Sequence, residues 1–283
     1  MPDTDTDNNP ELDYAQLLEL LASMVDAQAG RVIPTGQAWQ NDRQTLAKKL
    51  AYHLTTVQAI RAGSLLRIGD RVAPFVDHGS ITVLARAALE NFIVFAYVFG
   101  SPDMETCRFR HMTWQLGGLM DRQRRIAITD AGKLTMAVEK PQVAAQLSEV
   151  VQHDLFKAMT KGQQKAIVKR GDWATGRGWS ELAVEAGLNE RYFRNIYDYL
   201  CDYSHSSYAA ALQVGQAQTM EVQAEMSRAM LGVMNLSMAR FIDIYAGLFD
   251  SARELLERSP ARLIAQKWNF HPDRFDEIYQ SRT

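Results

Sequence analysis

Two stretches of this chain carry ionisable side chains where a purely structural helix would be apolar. Residues 81–99, ITVLARAALENFIVFAYVF, are almost wholly hydrophobic yet hold Arg86, Glu90 and Asn91. Residues 192–208, YFRNIYDYLCDYSHSSY, hold Tyr197, Asp198, Asp202 and His205. A charge inside an apolar segment is costly unless it finds a partner, so these groups are expected to meet in space. Arg86 and Glu90 stand four apart on one helix face and can pair with each other. Such an arginine can project into a site and stabilise negative charge, with Glu90 orienting it. The same pair can equally be a structural tie between helices.

In the second stretch Arg194, Asp198, Cys201 and His205 form one stripe. Tyr197 lies two turns before His205 on nearly the same face. Asp202, three residues before His205, is placed to hold its ring, the arrangement that general acid–base chemistry uses. A histidine satisfied within a packed helix would show the same pattern.

Other patterns point to plainer roles. Lys157, Lys161, Lys165 and Lys169 form a ladder at spacing four that could track phosphates, though a solvated helix face explains it as well. Met226, Met230, Met234 and Met238 form another, expected to pack in a core or dimer. Glu105, His111, Glu149, His153, Asp198, Asp202 and His205 are raw material for a metal. Their spacings, however, lack the regular Glu-x-x-His pairs of a di-iron helical site. We therefore expect no metal ligand and no cofactor.

The elements that must position these groups are helical. Asn9-Pro10 starts a helix that Gly30 stops, and a second is expected from Asn41 to about Ser64. Residues 67–79, with Gly69, Pro74 and Gly79, read as a connection. Ser80 is the expected cap of the apolar helix, and Ser101-Pro102-Asp103 opens the next, to about Ile126. Helical pattern returns over roughly 142–169, with a break near Gly162. GDWATGRGWS, residues 171–180, is a loop. Ser180 is expected to cap a short helix ending at Gly187, ahead of the His205 helix. Residues 218–257 form one long helix or a kinked pair. Ser259-Pro260 starts another short one, and Pro272 marks a further start. No alternating segment or hairpin signal stands out, so the fold class is all-α, a multi-helix bundle. Residues 1–9 read as a disordered acidic tail and 10–283 as a single helical domain.

Composition narrows the function. At 283 residues, with 47% hydrophobic and 23% charged residues, the chain has ample material for a core without staples. A net charge of −2 argues against a protein that coats nucleic acid. Its two cysteines, Cys107 and Cys201, are far apart and read as reduced thiols. The polar acidic start is unlike a signal peptide. The apolar helix nears spanning length, but charges at its centre favour a buried helix over a membrane span. A cytoplasmic protein without membrane contact is the expectation.

The order of motifs is familiar: Arg86-x3-Glu90 in an apolar helix, a following helix with Arg108 and Arg110, then Trp179-Ser180, Gly187-Leu188 and Tyr197-x2-Leu200-x4-His205. It resembles an uncharacterised bacterial helical family, domain of unknown function 5677, over about residues 80–212. That family is in turn similar to the HEPN superfamily, many of whose members are metal-independent ribonucleases in toxin and phage-defence systems. The resemblance implies a HEPN-like core with extra N- and C-terminal helices, including the long helix at about 218–257. It also implies RNA as a partner and a homodimer. The superfamily's hallmark is Arg-x4–6-His. Here Arg194 and His205 are eleven residues apart, about 16 Å along a helix axis, too far to grip one phosphate. Arg86 would have to supply the cation.

The catalytic candidates are therefore His205 as general acid–base, Arg86 as charge stabiliser, Glu90 as its positioner and Tyr197 as hydrogen-bond donor. Arg108, Arg194 and Asp202 are expected to contact substrate. Two further classes stay open: a non-catalytic helical module whose Trp173/Trp179 loop binds a protein partner, and a metal-dependent, di-iron-like oxidase.

Overall fold

A computed structural model describes residues 9–275. The acidic tail therefore lies outside the described residues except for Asn9, which is no part of a tail. Its side chain accepts hydrogen bonds from the backbone of Glu11 and Leu12 and caps the first helix. A helix continuing well beyond Pro272 would also fall outside. Among the described residues the chain forms thirteen α-helices and one two-stranded hairpin, so the all-α expectation holds.

The chain divides into two compact units, where sequence pattern alone suggests one helical domain. The first runs up to Phe95 and resumes at Gly187; the second is Ala96–Ala186. In chain order the elements are α1 (Pro10–Asp26), α2 (Asn41–Ile60), β1 (Ser64–Ile68), β2 (Arg71–Phe75) and α3 (His78–Phe99), which crosses the boundary. The second unit holds α4 (Met104–Gln123), α5 (Asp130–Gln152), α6 (Asp154–Lys157), α7 (Lys161–Arg170) and α8 (Trp179–Glu185). The first resumes with α9 (Glu190–Ser204), α10 (Tyr208–Gln216), α11 (Met220–Leu248), α12 (Asp250–Arg258) and α13 (Arg262–Trp268).

In the first unit, α1 packs against α2, α11, α12 and α13. Burial drives this packing, at about 1.5–3 kcal/mol for each large apolar side chain. Tyr14, Leu17 and Leu21 of α1, and Met234, Phe241 and Ile242 of α11, are fully enclosed. Some side-chain donors at these seams reach backbone carbonyls: Tyr14 donates to the Leu54 carbonyl at 2.7 Å, and Asn91 of α3 to the Leu46 carbonyl at 2.9 Å. The methionine ladder is core: Met230, Met234 and Met238 are buried. Helix α3 has the length and hydropathy of a membrane span, but 67% of its most apolar window is buried within the protein, as a core helix requires.

The hairpin corrects the sequence reading. Ile68-Gly69-Asp70-Arg71 is a two-residue turn, with β1 and β2 paired antiparallel from Ser64–Phe75 to Ile68–Arg71. Gly69 has φ +60° and Asp70 does not have a positive φ. That is the pattern of a turn with glycine at its first central position, which joins strands of natural twist. The signal was present, but Leu65, Leu66, Ile68 and Val72 are all exposed, so no alternation marked the strands. Consequently α2 ends at Ile60 rather than near Ser64. Two caps also shift by a few residues. Asp77, not Ser80, accepts the Ser80 amide at 2.9 Å at the start of α3. Gly178, not Ser180, precedes α8. The predicted long helix is a kinked pair, α11 and α12, broken at Phe249.

The second unit is built around Phe109, Met112, Leu116, Val150, Phe156 and Ile167. Here α4 and the loop after α7 approach closely: a methyl group at Gly117 would sit 2.5 Å from the Gly171 carbonyl oxygen. Gly171 itself takes φ +67° to end α7.

Candidate active site

Helix α3 buries most of its surface and leaves one face open, carrying Val83, Arg86 and Glu90 at spacings of three and four. Against that face lies α9, a strongly amphipathic helix that buries Phe193, Leu200 and Tyr203. Its N-terminus is fixed by Asn189, whose side chain accepts the Tyr192 amide at 2.9 Å. The helix stops at Ser204, earlier than expected. Ser, His, Ser and Ser form helices weakly, and Ser207 instead accepts the Ala210 amide at 3.2 Å to start α10. His205 thus sits at the corner between the two helices. Ser206, next to it, adopts φ +50°, a left-handed conformation that turns the chain into α10.

Four predicted residues converge. Arg86 donates from Nε to Glu90 Oε1 at 2.9 Å and from Nη2 to the Tyr197 hydroxyl at 3.4 Å. Its Nη1 lies 3.5 Å from His205 Nε2. Tyr197 donates to the same Glu90 oxygen at 2.8 Å. The guanidinium also stands over the Tyr197 ring, 5.3 Å from its centroid. The ring of Tyr197 is held from beneath by buried Phe193, stacked at 4.9 Å. Because arginine can only donate, a neutral His205 contacted at Nε2 carries its proton on Nδ1.

The cluster is half open. The side chains of Arg86 and Glu90 retain 21% and 27% exposure, and His205 is exposed. Burial alone would lower the Arg86 pKa, but hydrogen bonds to Tyr197 and Glu90 hold it above its ordinary value. Burial, reinforced by the hydrogen bond to Glu90, pushes the Tyr197 phenol well above its usual range, so it stays a donor. Burial also raises the Cys201 thiol against the pull of Arg86, with Glu90 and Asp198 adding to the rise. Cys201 is thus a protonated neighbour rather than a nucleophile at neutral pH.

Of the other candidates, Arg194 and Asp202 stand apart from this cluster. Arg194 pairs with Glu190 at 2.6 Å on the outer face of α9. Among the described residues, no hydrogen bond joins the Asp202 side chain to the His205 ring; Asp202 only accepts the Ser207 amide with its carbonyl. The ring is set by Arg86 and by the corner instead: His205, whose amide still reaches the Cys201 carbonyl, is the residue that ends the helix. Arg108 is exposed on α4 of the second unit. The histidines weighed as metal ligands have other work. His111 is buried between the rings of Phe99 and Trp114, and His153 caps α6 by accepting the Leu155 amide at 3.2 Å. Among the described residues, no three His, Cys, Asp or Glu side chains converge as a metal site needs.

The sequence did not reveal Phe193 as the support for Tyr197, or Ser206 as the bend beside His205. A Phe-x3-Tyr pair on one face was a readable signal; the bend was hidden in a run of polar residues. Residues 64–220 match a family of unknown function, DUF5677. No curated protein and no solved structure matches the chain.

Proposed function

We propose, from the premise that this chain belongs to the family of unknown function DUF5677, that the Arg86–His205 cluster is a HEPN-like, metal-independent ribonuclease centre. The observation that carries the reading is the 3.5 Å approach of Arg86 Nη1 to an exposed imidazole. That distance is at the outer limit of a hydrogen bond, so an incoming phosphate oxygen gains more from Arg86 than the ring gives up.

In the reaction the ribose 2′-hydroxyl attacks phosphorus as the P–O5′ bond breaks. His205 takes the 2′-hydroxyl proton and returns it to the leaving O5′. Arg86 stabilises charge on the phosphorane oxygens, and Tyr197 keeps a donor beside them. Glu90 touches no reacting atom in this scheme; it positions Arg86 and Tyr197 through a single oxygen. A homodimer would bring two such centres together, and a role in phage defence or as a toxin follows from the same kinship.

The test is incubation of purified protein with total RNA in a chelator. Wild type should yield fragments ending in 2′,3′-cyclic phosphate, and His205→Ala should be more than about 100-fold slower. Equal degradation by both, or none by either, overturns the reading.

A second reading has its own support: each nitrogen of the Arg86 guanidinium already contacts a protein group, as in a closed structural network. It predicts that Arg86→Ala unfolds the protein, whereas the ribonuclease reading predicts a folded, inactive variant. A melting curve separates them.

A further inference from the structure

The open face of α3 does not end at Arg86. A trough of about 870 Å³ lies along the N-terminal part of the same helix, within the first unit. Val83 and Leu84 form one wall, Ala211 and Val214 of α10 another, and Asp77 and Ser206 contribute polar groups. Val83 is one turn from Arg86, about 4.5 Å along the axis. Ser206 directly follows His205. The cluster residues do not line the trough, but Val83 and Ser206 on its wall adjoin Arg86 and His205 along the chain, so the mostly apolar trough neighbours the cationic cluster.

We propose that this trough is a base-binding subsite, holding an amino-bearing nucleobase next to the phosphate at Arg86. The inference rests on the ribonuclease reading and names which part of an RNA the cleft selects. Three features favour a base over an aliphatic chain. Gly79, Ala210 and Ala211 on the walls leave room for a flat ring, and the ring of Tyr203 also lines the space. The size lies within the range of pockets that enclose a small ligand. Most specifically, Asp77 places a carboxylate where an alkyl chain would gain nothing from it. One of its oxygens accepts the Ser80 amide at 2.9 Å, and the other accepts no hydrogen bond among the described residues. That oxygen suits an exocyclic amino group, as when an acidic side chain reads cytosine N4. A phosphate at Arg86 and an amino group at Asp77 would thus each meet a group of opposite charge.

The test measures binding without turnover, by titrating the whole protein with cytidine 3′-monophosphate, uridine 3′-monophosphate and inorganic phosphate. Cytidine and uridine monophosphates differ at the base edge that Asp77 would read. Cytidine 3′-monophosphate should bind at least about tenfold more tightly than inorganic phosphate, and more tightly than the uridine nucleotide. Asp77→Asn, which keeps a capping side chain for α3, should erase the cytidine preference. Ala211→Trp and Val214→Arg fill the trough from exposed positions on α10, so neither strains the core. Both should remove the nucleotide's advantage over inorganic phosphate. The proposal is overturned if the nucleotides bind no better than phosphate, or if Asp77→Asn and both trough-filling variants leave the preferences intact. Intact discrimination without RNA cleavage would sink the ribonuclease reading alone. Cleavage without discrimination would sink the base subsite alone.

Discussion

Each unit contains an arginine, a glutamate and a tyrosine drawn together, and the two sets differ in what they leave open. In the second unit Arg110 and Arg177 both reach Glu185, at 2.5 and 3.6 Å. Both also stand over the ring of Tyr97, at 4.3 and 5.7 Å. Arg110 further donates to the Tyr97 carbonyl at 2.8 Å, and Arg177 to Thr175 Oγ1 at 2.7 Å. Tyr97 is 2% exposed and donates to the Trp173 carbonyl at 3.4 Å. That set staples the 171–178 loop, including Thr175 in its left-handed conformation, to α4 and α8. The Arg86 set has one arginine, a half-exposed glutamate and, in place of a second cation, an exposed imidazole. The same residue types thus make a brace around a buried tyrosine in one unit and, in the other, a cluster that ends in an exposed imidazole. What distinguishes them is the exposed histidine and the depth of the tyrosine, since Arg177 and Glu185, at 38% and 34% exposure, are more open than Arg86 and Glu90.

The largest expected difference is in activity against stability. His205→Ala should lower RNA cleavage by two or more orders of magnitude while the melting temperature stays unchanged, as read by a cleavage assay beside calorimetry. Next, Glu185→Ala should destabilise by about 1 kcal/mol in denaturant unfolding, because it removes the carboxylate that two arginines share while their other contacts remain. A smaller, mixed effect is expected from Tyr197→Phe. Losing the hydrogen bond to Glu90 should cost about 1 kcal/mol and slow cleavage several-fold.

That variant also sharpens the comparison through pH. A phenol whose pKa is raised on folding binds its proton more tightly in the folded state. The resulting stability is fully present below the ordinary phenol value of about 10 and is lost as pH rises beyond it. Tyr197→Phe should therefore flatten part of the alkaline fall in stability, seen in melts between neutral pH and about pH 11. The smallest effect is expected from Ser206→Gly, which relieves a left-handed serine but loosens the unfolded chain. Its stability should stay within about 1 kcal/mol of wild type.

Much of the first set was legible in sequence because burial forces the issue. Arg86 and Glu90 stand out against ITVLARAALENFIVFAYVF, and charges so placed need partners. Tyr197 and His205 followed from helical spacing. The second set was not legible, since Arg110, Arg177 and Glu185 lie in ordinary polar surroundings and meet only through tertiary folding. Asp202 shows the opposite failure. Its i, i+3 relation to His205 survives in the backbone, where the His205 amide closes the last turn of α9, yet the ring meets Arg86 and not the carboxylate. The hairpin was missed because its apolar residues face solvent, which removes the alternation that burial of one side imposes. Gly69-Asp70 carried the turn without that support.

The account stands or falls on whether Arg86 and His205 grip one phosphate together. Observing the His205 imidazole by nitrogen NMR while inorganic phosphate is added tests this directly. Saturable movement of the Nε2 resonance in wild type, absent in a folded Arg86→Ala variant, is the predicted result. No movement in wild type, or the same movement without Arg86, would contradict it.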